Sequence, residues 1–315
     1  MKLSVAALIA TYRRPRELER LLVSLAQMGS DLAAVIVVDN EGSDEIEALV
    51  QRASSCGHYV NPGDNIGCGA GLRLAGEYAL RLAGEPFTHL LILDDDAVLP
   101  AGVLHALAEA MDRSGAELAY PLVTNESGRV GWLPGFQRQT RELNDTFAGS
   151  PEDFRARFGA EPRDFIWAQG ICLLIKRQAV ERCGLHRGDF WVRGEDLEFS
   201  LRLTAEARGI LVPTVTVQHL PPPETAGLSR QAEYLKYCAL VQNIAFIGFR
   251  LRHGHRIAWT IAGALHRYFR AWSWSWPVFQ DACRALWRGA ILGEPAGTGT
   301  GRTFRTRFAA LHLLR

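Results

Sequence analysis

Three consecutive aspartates, Asp94, Asp95 and Asp96, directly follow an apolar run at residues 90–93. A packed core does not accept them, because each buried charge is costly and neighbouring carboxylates repel one another. A divalent cation would neutralise the charges, and open α/β sheets bind ligands at the carboxyl ends of their strands. The segment therefore indicates a site for a metal and a charged substrate. The alternative is a solvated acidic turn, and these residues alone do not choose between the two.

Three further polar segments follow apolar runs, at residues 11–15, 39–40 and 61–71. Loops of this kind lie along one edge of an α/β sheet, so they are placed to surround a single ligand. The glycines of the third segment allow close backbone approach and lead into a predicted helix, whose N-terminus favours phosphate. A nucleoside diphosphate would suit these loops. The glycine spacing is a weak signal by itself, because it lacks the GxGxxG pattern.

Glu195, Asp196 and His219 are the remaining candidates for chemistry. Adjacent carboxylates at the start of a predicted helix either complement the helix dipole or supply a general base. A histidine that ends a predicted strand is, by itself, best interpreted as structural. Together with Asp94 and Asp96, however, His219 would complete a mixed oxygen and nitrogen site for Mn²⁺ or Mg²⁺.

Alternating strands and helices must position these residues. The predicted strands are residues 3–10, 34–38, 58–60, 90–93, 118–123, 165–175 and 210–218. The predicted helices begin at Pro15 or cover residues 43–55, 71–83 and 195–208. This alternation predicts an α/β fold, with a mostly parallel sheet and helices on both faces. Residues 125–163, rich in glycine, proline and charge, are predicted to form a long functional loop.

The organisation predicted along the chain is a catalytic domain followed by a helical extension. Residues 1–115 form a predicted nucleotide-binding half and residues 116–223 an acceptor-binding half, and the three prolines at 221–223 mark the boundary. Six scattered cysteines without metal-ligand spacing favour reduced thiols in a cytosolic protein. Neither a signal peptide nor an apolar segment long enough to span a bilayer is evident.

Residues 224–315 are basic and rich in tryptophan and arginine. Residues 225–315 hold 13 Lys and Arg against 3 Asp and Glu, although the whole chain carries a net charge of only +1. Apolar residues recur at helical spacing from Ile257 to Trp272, and a second helix is predicted from Phe279 to Trp287. Tryptophan with arginine favours the surface of an anionic membrane, and nucleic acid is not among the predicted partners. The alternative is that these helices pack on the catalytic domain or form a homo-oligomer contact.

The order of the motifs resembles the inverting family-2 glycosyltransferases with the GT-A fold. The matching segments are residues 9–15, 37–40, 65–71, 94–96 and 191–196, together with His219. Within the family, the three aspartates, the loop at residues 65–71 and the Trp-x-x-Gly-Glu-Asp segment resemble the galactofuranosyl and rhamnosyl transferases of bacterial cell-surface glycans. The chain departs from that subgroup at Glu195, where a second aspartate is common, and at Cys68, where glycine is usual.

The resemblance implies a role for each site residue. The implied nucleotide-sugar-binding residues are Thr11, Tyr12, Arg13, Asp39, Asn65, Gly67, Arg73, Asp94 and Asp95. The implied metal ligands are Asp94, Asp96 and His219. Asp196 would be the catalytic base and Glu195 would hydrogen-bond the acceptor, with exchange of these two roles left open. Trp132, Trp167 and Trp191 offer flat faces to an acceptor sugar, although buried tryptophans more often serve only as core.

These features together predict a metal-dependent, inverting glycosyltransferase of cell-surface polysaccharide synthesis. Its expected donor is UDP-galactofuranose or another UDP- or TDP-sugar, and its expected acceptor is a glycan or a lipid-linked sugar. The expected location is the cytoplasmic face of the plasma membrane, with peripheral attachment. Two alternatives remain open at this stage, namely a nucleotidyltransferase or phosphotransferase with a similar α/β half and an inactive, membrane-associated scaffold.

Overall fold

The computed structural model describes residues 2–53, 55–82, 87–136, 149–221, 230–250, 255–272 and 275–297. Its strands are β1 (Val5–Thr11), β2 (Leu32–Asp39), β3 (Gly57–Val60), β4 (His89–Leu93), β5 (Ala97–Val98), β6 (Leu118–Thr124), β7 (Val130–Gly131), β8 (Arg163–Phe165), β9 (Cys172–Lys176) and β10 (Gly209–His219). Its α-helices are α1 (Pro15–Ala26), α2 (Asp44–Ala53), α3 (Gly67–Arg81), α4 (Val103–Ser114), α5 (Pro151–Phe158), α6 (Arg177–Cys183), α7 (Glu195–Thr204), α8 (Arg230–Arg250), α9 (His255–Trp272) and α10 (Trp276–Trp287).

The strands form one sheet in the order β3-β2-β1-β4-β9-β6-β10-β5, with β7 beside β6 and β8 beside β10. The first four strands in this order run parallel, as do β6 and β10, whereas β9 runs antiparallel to both of its neighbours. β1 is buried along almost its whole length, which explains its continuous apolar sequence. The α/β class predicted from the sequence is confirmed.

Register places the polar strand ends beside one another. Thr11 pairs with Asp39 across β1 and β2, and Ile9 pairs with Leu93 across β1 and β4. Parallel strands have their carboxyl ends at one edge of the sheet, so the segments after these strands lie together there. The sheet therefore positions the aspartate segment next to the loop that follows Thr11.

Two segments differ from the sequence predictions. Residues 165–175, predicted as one strand, contain the end of β8 and most of β9, because β8 pairs with β10 and β9 pairs with β4 and β6. The predicted loop at residues 125–163 contains β7 and α5, and a reciprocal capping box between Ser150 and Asp153 begins α5. Within that loop, residues 137–148 lie outside the described residues.

The chain divides into two compact units. Unit 1 comprises Met1–Asp64, Gly71–His186 and Phe199–Pro222, and it contains the sheet. Unit 2 comprises Asn65–Ala70, Arg187–Glu198 and Pro223–Arg315. Unit 2 therefore includes two short segments of the predicted catalytic domain as well as the predicted helical extension.

The core of unit 2 is helical. Tyr234, Cys238 and Val241 of α8 are buried in a cluster that also contains Tyr268 of α9 and Ala282 of α10. α8 carries buried residues on all its faces, which is typical of a central helix. Among the described helices, none combines the length and the hydropathy needed to cross a bilayer.

Candidate active site

A tight turn after β4 carries the three aspartates, and the backbone N–H of Ala97 donates to the carbonyl of Asp94 at 3.2 Å. The chain then enters β5, where Ala97 pairs with His219 at the end of β10. This pairing brings together side chains more than 120 residues apart. The Nε2 atom of His219 lies 2.8 Å from Oδ1 of Asp96 and 3.8 Å from Oδ2 of Asp94.

Asp94, Asp96 and His219 each offer one ligand atom, and these atoms lie within 4.8 Å of one another. Two carboxylate oxygens and an imidazole nitrogen form a donor set that fits Mn²⁺ or Mg²⁺. Trp132 contacts His219 edge-on, with ring centroids 4.5 Å apart, and so limits rotation of the imidazole. The predicted ligand set is thus assembled within unit 1.

Asp95 faces a different group of partners. Its Oδ2 atom accepts from the Thr11 hydroxyl at 2.7 Å, and its Oδ1 atom accepts from Nη1 of Arg14 at 2.9 Å. The same Nη1 donates to Oδ2 of Asp96 at 2.9 Å. Arg14 therefore bridges two of the three aspartates, and both oxygens of Asp95 have protein partners.

The electrostatics of the cluster follow from burial and from these contacts. Burial raises the pKa of Asp95 to about 6, although Arg14 opposes the shift. Burial also disfavours ionised Asp96, but His219 and Arg14 outweigh it and lower the pKa of this carboxyl. Burial disfavours the charged form of His219, but Asp96 and Asp94 outweigh burial and raise the pKa of this imidazole. The pKa of Arg14 is raised, since Asp95 and Asp96 outweigh the effect of burial.

Asp39 is fully buried and accepts hydrogen bonds that shape its loop. The backbone N–H groups of Glu41 and Ser43 donate to it at 3.0 and 2.7 Å, and the Tyr59 hydroxyl donates at 3.2 Å. Burial and the Asp39 carboxylate raise the pKa of Tyr59 to about 12. Arg13 is exposed, adopts φ +58° and pairs with Glu41 at 2.7 Å.

Two other residues predicted to bind the donor lie on exposed or half-buried surface of unit 1. Tyr12 is half-buried, and its ring lies 5.0 Å from the guanidinium carbon of Arg13. Arg73 pairs with Glu77 on α3 at 2.8 Å.

The glycine-rich segment in unit 2 packs against a second loop. Oδ1 of Asn65 accepts from the Gly67 N–H at 3.0 Å, and the Cys68 N–H donates to the carbonyl of Trp191 at 2.7 Å. Gly67 has φ +85°, and a Cβ there would lie 2.2 Å from the same carbonyl. Only glycine fits this position, for reasons of both conformation and space.

The proposed base and its neighbour also belong to unit 2. Glu195 and Asp196 begin α7, and Oδ1 of Asp196 accepts from the Leu197 N–H at 2.7 Å. Both residues are half-buried. Of the three tryptophans predicted to bind the acceptor, Trp191 is in unit 2, whereas Trp132 and Trp167 are in unit 1. Trp167 packs on Gly135, where a Cβ would lie 1.8 Å from the indole Nε1.

Arg14 is the contact that sequence reasoning missed. It lies inside the motif at residues 11–15, of which only Thr11, Tyr12 and Arg13 were predicted to bind the donor. Charge balance is the signal that would have found it, since three adjacent buried or half-buried carboxylates require a cation nearby.

Comparison with known proteins gives three findings. The family model described as Glycosyl transferase family 2 matches residues 6–183. The chain is 27% identical over 227 residues to N-acetylglucosaminyl-diphospho-decaprenol L-rhamnosyltransferase of Mycobacterium tuberculosis, covering 66% of this chain and 73% of that protein. Among solved structures it resembles S. aureus TarS 1–349 in complex with UDP-GlcNAc, with a TM-score of 0.56 and 15% identity, covering 93% of this chain and 82% of that one.

A second solved structure is similar over almost the whole chain. It is the mannosyltransferase PcManGT from Pyrobaculum calidifontis in complex with GDP-Man and Mn²⁺. The TM-score is 0.51 at 18% identity, and the match covers 98% of this chain and 86% of that one. At these identities the two structural likenesses are evidence of fold alone.

Proposed function

The chain belongs to glycosyl transferase family 2, as its motifs predicted, and on that premise we propose that it is a metal-dependent, inverting glycosyltransferase. The structural likenesses confirm its GT-A fold. The observation that carries the metal dependence is the cluster of Asp94, Asp96 and His219. Neither a nucleotidyltransferase nor a phosphotransferase is favoured any longer, because the family transfers sugars.

We assign the metal to Asp94, Asp96 and His219. A divalent cation bound there supplies a Lewis acid that stabilises the charge on a departing nucleoside diphosphate. Thr11 and Arg14 hold Asp95 by both oxygens, so in this proposal Asp95 shapes the site rather than ligating. The Mn²⁺ that accompanies GDP-Man in the PcManGT structure supports the choice of metal.

The proposed donor-binding residues keep the roles that the motifs imply, which are contacts to base, ribose and diphosphate. They are Thr11, Tyr12, Arg13, Asp39, Asn65, Gly67, Arg73 and Asp94. Asp95, which the motifs also imply, is proposed instead to shape the site through Thr11 and Arg14. Asp196 is proposed to take the proton of the acceptor hydroxyl as that oxygen attacks the anomeric carbon, which gives inversion in one displacement. Glu195 is proposed to hydrogen-bond the acceptor, and Trp132, Trp167 and Trp191 to stack on its sugar rings.

The donor and acceptor are proposed from the relatives and the subgroup resemblance. UDP-galactofuranose is the first candidate donor, and TDP-L-rhamnose is the second because the mycobacterial relative is an L-rhamnosyltransferase. The same relative acts on N-acetylglucosaminyl-diphospho-decaprenol, which supports a lipid-linked acceptor in cell-surface polysaccharide synthesis.

A peripheral membrane location is proposed from unit 2, at the cytoplasmic face. An apolar stripe, defined as Trp276, Phe279, Cys283, Trp287 and Ile291, is exposed along α10 and the π-helical turn after it. Its spacing of three or four residues places these side chains on one face. Tryptophan on such a face beside arginines is typical of helices that lie in the surface of an anionic membrane.

A donor screen tests the proposed function. We expect UDP-galactofuranose or TDP-L-rhamnose to raise the melting temperature only when Mn²⁺ is present, because a cation held by Asp94, Asp96 and His219 would supply the positive charge that the diphosphate needs. Asp96→Asn should abolish this stabilisation. Asp112→Asn is the matched control, because Asp112 is an exposed carboxylate paired with Lys176 in the same unit. Stabilisation that is independent of Mn²⁺, or unchanged in Asp96→Asn, would contradict the metal assignment.

A second variant tests the base. Asp196→Asn should retain Mn²⁺-dependent donor binding while transfer to a polyprenyl-diphospho-N-acetylglucosamine acceptor falls by at least about 100-fold, as expected for loss of a general base. Glu195→Gln is the comparison. If Glu195→Gln abolishes transfer and Asp196→Asn does not, the two roles are exchanged.

A further inference from the structure

Asn243 on α8 is fully buried, and its carboxamide is hydrogen-bonded on both sides. Its Nδ2 atom donates to the carbonyls of Val192 and Arg193, at 3.2 and 2.7 Å. Its Oδ1 atom accepts from the backbone N–H of Ala296 at 2.6 Å. A buried amide with three backbone partners fixes the relative position of the chain segments that it joins.

The first of these segments, residues 191–194, leads directly into α7 and is called the base loop here. Its backbone is strained at Arg193, which has φ +60°, whereas Gly194 has φ +95°, a value that glycine adopts freely. The carbonyl of Gly194 accepts from the Glu198 N–H at 3.0 Å, so the first turn of α7 is built on this residue. The orientation of Asp196 in that turn therefore depends on how the base loop is held.

The second segment, residues 294–297, is called the strap here. The carbonyl of Ala296 accepts from the Trp191 N–H at 2.6 Å, and a Cβ on Gly297 would lie 2.2 Å from the carbonyl of Asp189. Nε2 of Gln242 donates to the carbonyl of Glu294 at 2.7 Å. The strap is thus held by α8 while it lies against the base loop.

We propose that Asn243 is a positioning residue for glycosyl transfer, which with the strap holds the base loop in the strained conformation that orients Asp196. This inference rests on the proposed function, because it takes Asp196 as the base. It makes the α8 helix and residues 294–297 part of the catalytic apparatus, whereas the sequence places both in an appended extension. The strain of Arg193 explains why an external clamp is needed, since the loop would otherwise relax.

Three variants test the clamp. Asn243→Ala removes all three hydrogen bonds, whereas the near-isosteric Asn243→Asp still accepts from Ala296 but no longer donates to the base loop. Tyr268→Phe is the matched control, because it loses buried hydrogen bonds to Tyr234 and Val278 in the same unit and none to the base loop or the strap. Turnover is followed as nucleoside diphosphate release from whichever of UDP-galactofuranose and TDP-L-rhamnose the wild-type protein uses.

We expect kcat to fall by about 100-fold in both Asn243 variants, with little change in the KM for donor, because a displaced base loses rate rather than ground-state binding. Tyr268→Phe should keep a near-wild-type kcat. Hydrogen exchange of the peptide covering residues 187–198 should be faster in the Asn243 variants only. Should the alanine variant fail to fold, the aspartate variant carries the comparison.

Two outcomes would overturn the clamp. One is a wild-type kcat in Asn243→Asp, and the other is an equal loss in Tyr268→Phe, which would mean that any loosening of the unit 2 core lowers kcat. Absence of turnover by the wild-type protein with every donor would instead count against the proposed function. In that case the exchange measurement still decides whether Asn243 holds the base loop.

Discussion

Arg14 shows how one side chain allows three adjacent aspartates to coexist. Its Nη1 atom lies 2.9 Å from both Asp95 and Asp96, and its side chain is 32% exposed. Asp95 is thereby paired although it is almost completely buried. Arg14 binds Oδ2 of Asp96, and the other carboxylate oxygen, Oδ1, faces His219. Arg14 therefore binds Asp95 and one oxygen of Asp96, and the other oxygen of Asp96 lies on the side of the proposed metal site.

Arg14→Met should destabilise the protein in a pH-dependent manner. We expect the free energy of unfolding to fall by about 3 kcal/mol at pH 8, because a buried carboxylate loses its partner. Burial already raises the pKa of Asp95 to about 6, above its ordinary 3.8. At pH 5 the folded protein therefore keeps a proton on Asp95 that the unfolded chain has largely lost. This contribution to stability disappears as pH rises through the folded pKa, so the stability lost in Arg14→Met should be smaller at pH 5 than at pH 8.

Urea denaturation at the two pH values measures this effect. Arg16→Met, an exposed arginine on the same helix, is the control and should change the free energy of unfolding by less than about 0.5 kcal/mol. Adding Asp95→Asn to Arg14→Met should recover part of the loss. Equal losses at pH 5 and pH 8 would show that the effect comes from packing and not from the charge of Asp95.

The β5–β10 pairing is the element that completes the proposed metal site. β5 has only two residues, and its pairing with Gln218 and His219 turns the aspartate segment toward the end of β10.

The packing of helices also buries titratable side chains that play no part in the proposed chemistry. His186, which follows α6, is fully buried and stacks on Phe199 of α7 with ring centroids 3.7 Å apart.

His186→Leu should make the protein less sensitive to acid. Burial, with a smaller contribution from Arg202, lowers the pKa of His186 to about 3 from its ordinary 6.5. Below pH 6.5 the unfolded chain gains a proton that the folded form does not, so stability falls as pH falls. We expect the slope of unfolding free energy between pH 6 and pH 4 to decrease by up to about 1.4 kcal/mol per pH unit in the variant.

The slope is measured by urea denaturation at several pH values. His266→Leu is the matched control, because His266 is an exposed histidine on α9, and this variant should leave the slope nearly unchanged. A slope in His186→Leu equal to that of the wild type would mean that other groups account for the acid sensitivity.

The whole molecule combines an acidic catalytic region with a basic C-terminal region. The charge of residues 225–315, with 13 Lys and Arg against 3 Asp and Glu, has no counterpart in the sugar-transfer chemistry. The apolar stripe lies in the same basic region, and two of its tryptophans are well exposed, Trp276 by 69% and Trp287 by 56%. A surface of this kind suits an enzyme whose acceptor is held in a membrane.

Replacement of Trp276 and Trp287 by alanine should weaken binding to vesicles of phosphatidylglycerol and phosphatidylcholine by about tenfold, because two exposed indoles no longer enter the interface. Flotation of vesicles measures the binding. High salt should weaken binding of the wild-type protein, because it screens the arginines. Val23→Ala, at an exposed apolar position on α1, is the control. If vesicle binding is unchanged and self-association is lost on sedimentation, the stripe is an oligomer contact.

The sequence by itself determined the fold class, the family and the candidate residues. Apolar periodicity locates the strands and helices of the sheet, and the order of short motifs identifies the family, because both are written in local stretches of chain. Thr11 and Asp39, each at the end of a strand, become neighbours once β1 and β2 pair in parallel.

Only the tertiary structure decided which of these residues meet. The sequence suggested that His219 shares a metal site with Asp94 and Asp96, but the contact itself is made through β5, a strand too short to have a recognisable pattern. The bonds of Arg14 to two aspartates, and of Asn243 to two segments about fifty residues away, join parts of the chain whose local sequences carry no sign of each other. Side-chain hydrogen bonds over such separations are set by packing, and packing depends on the whole chain at once.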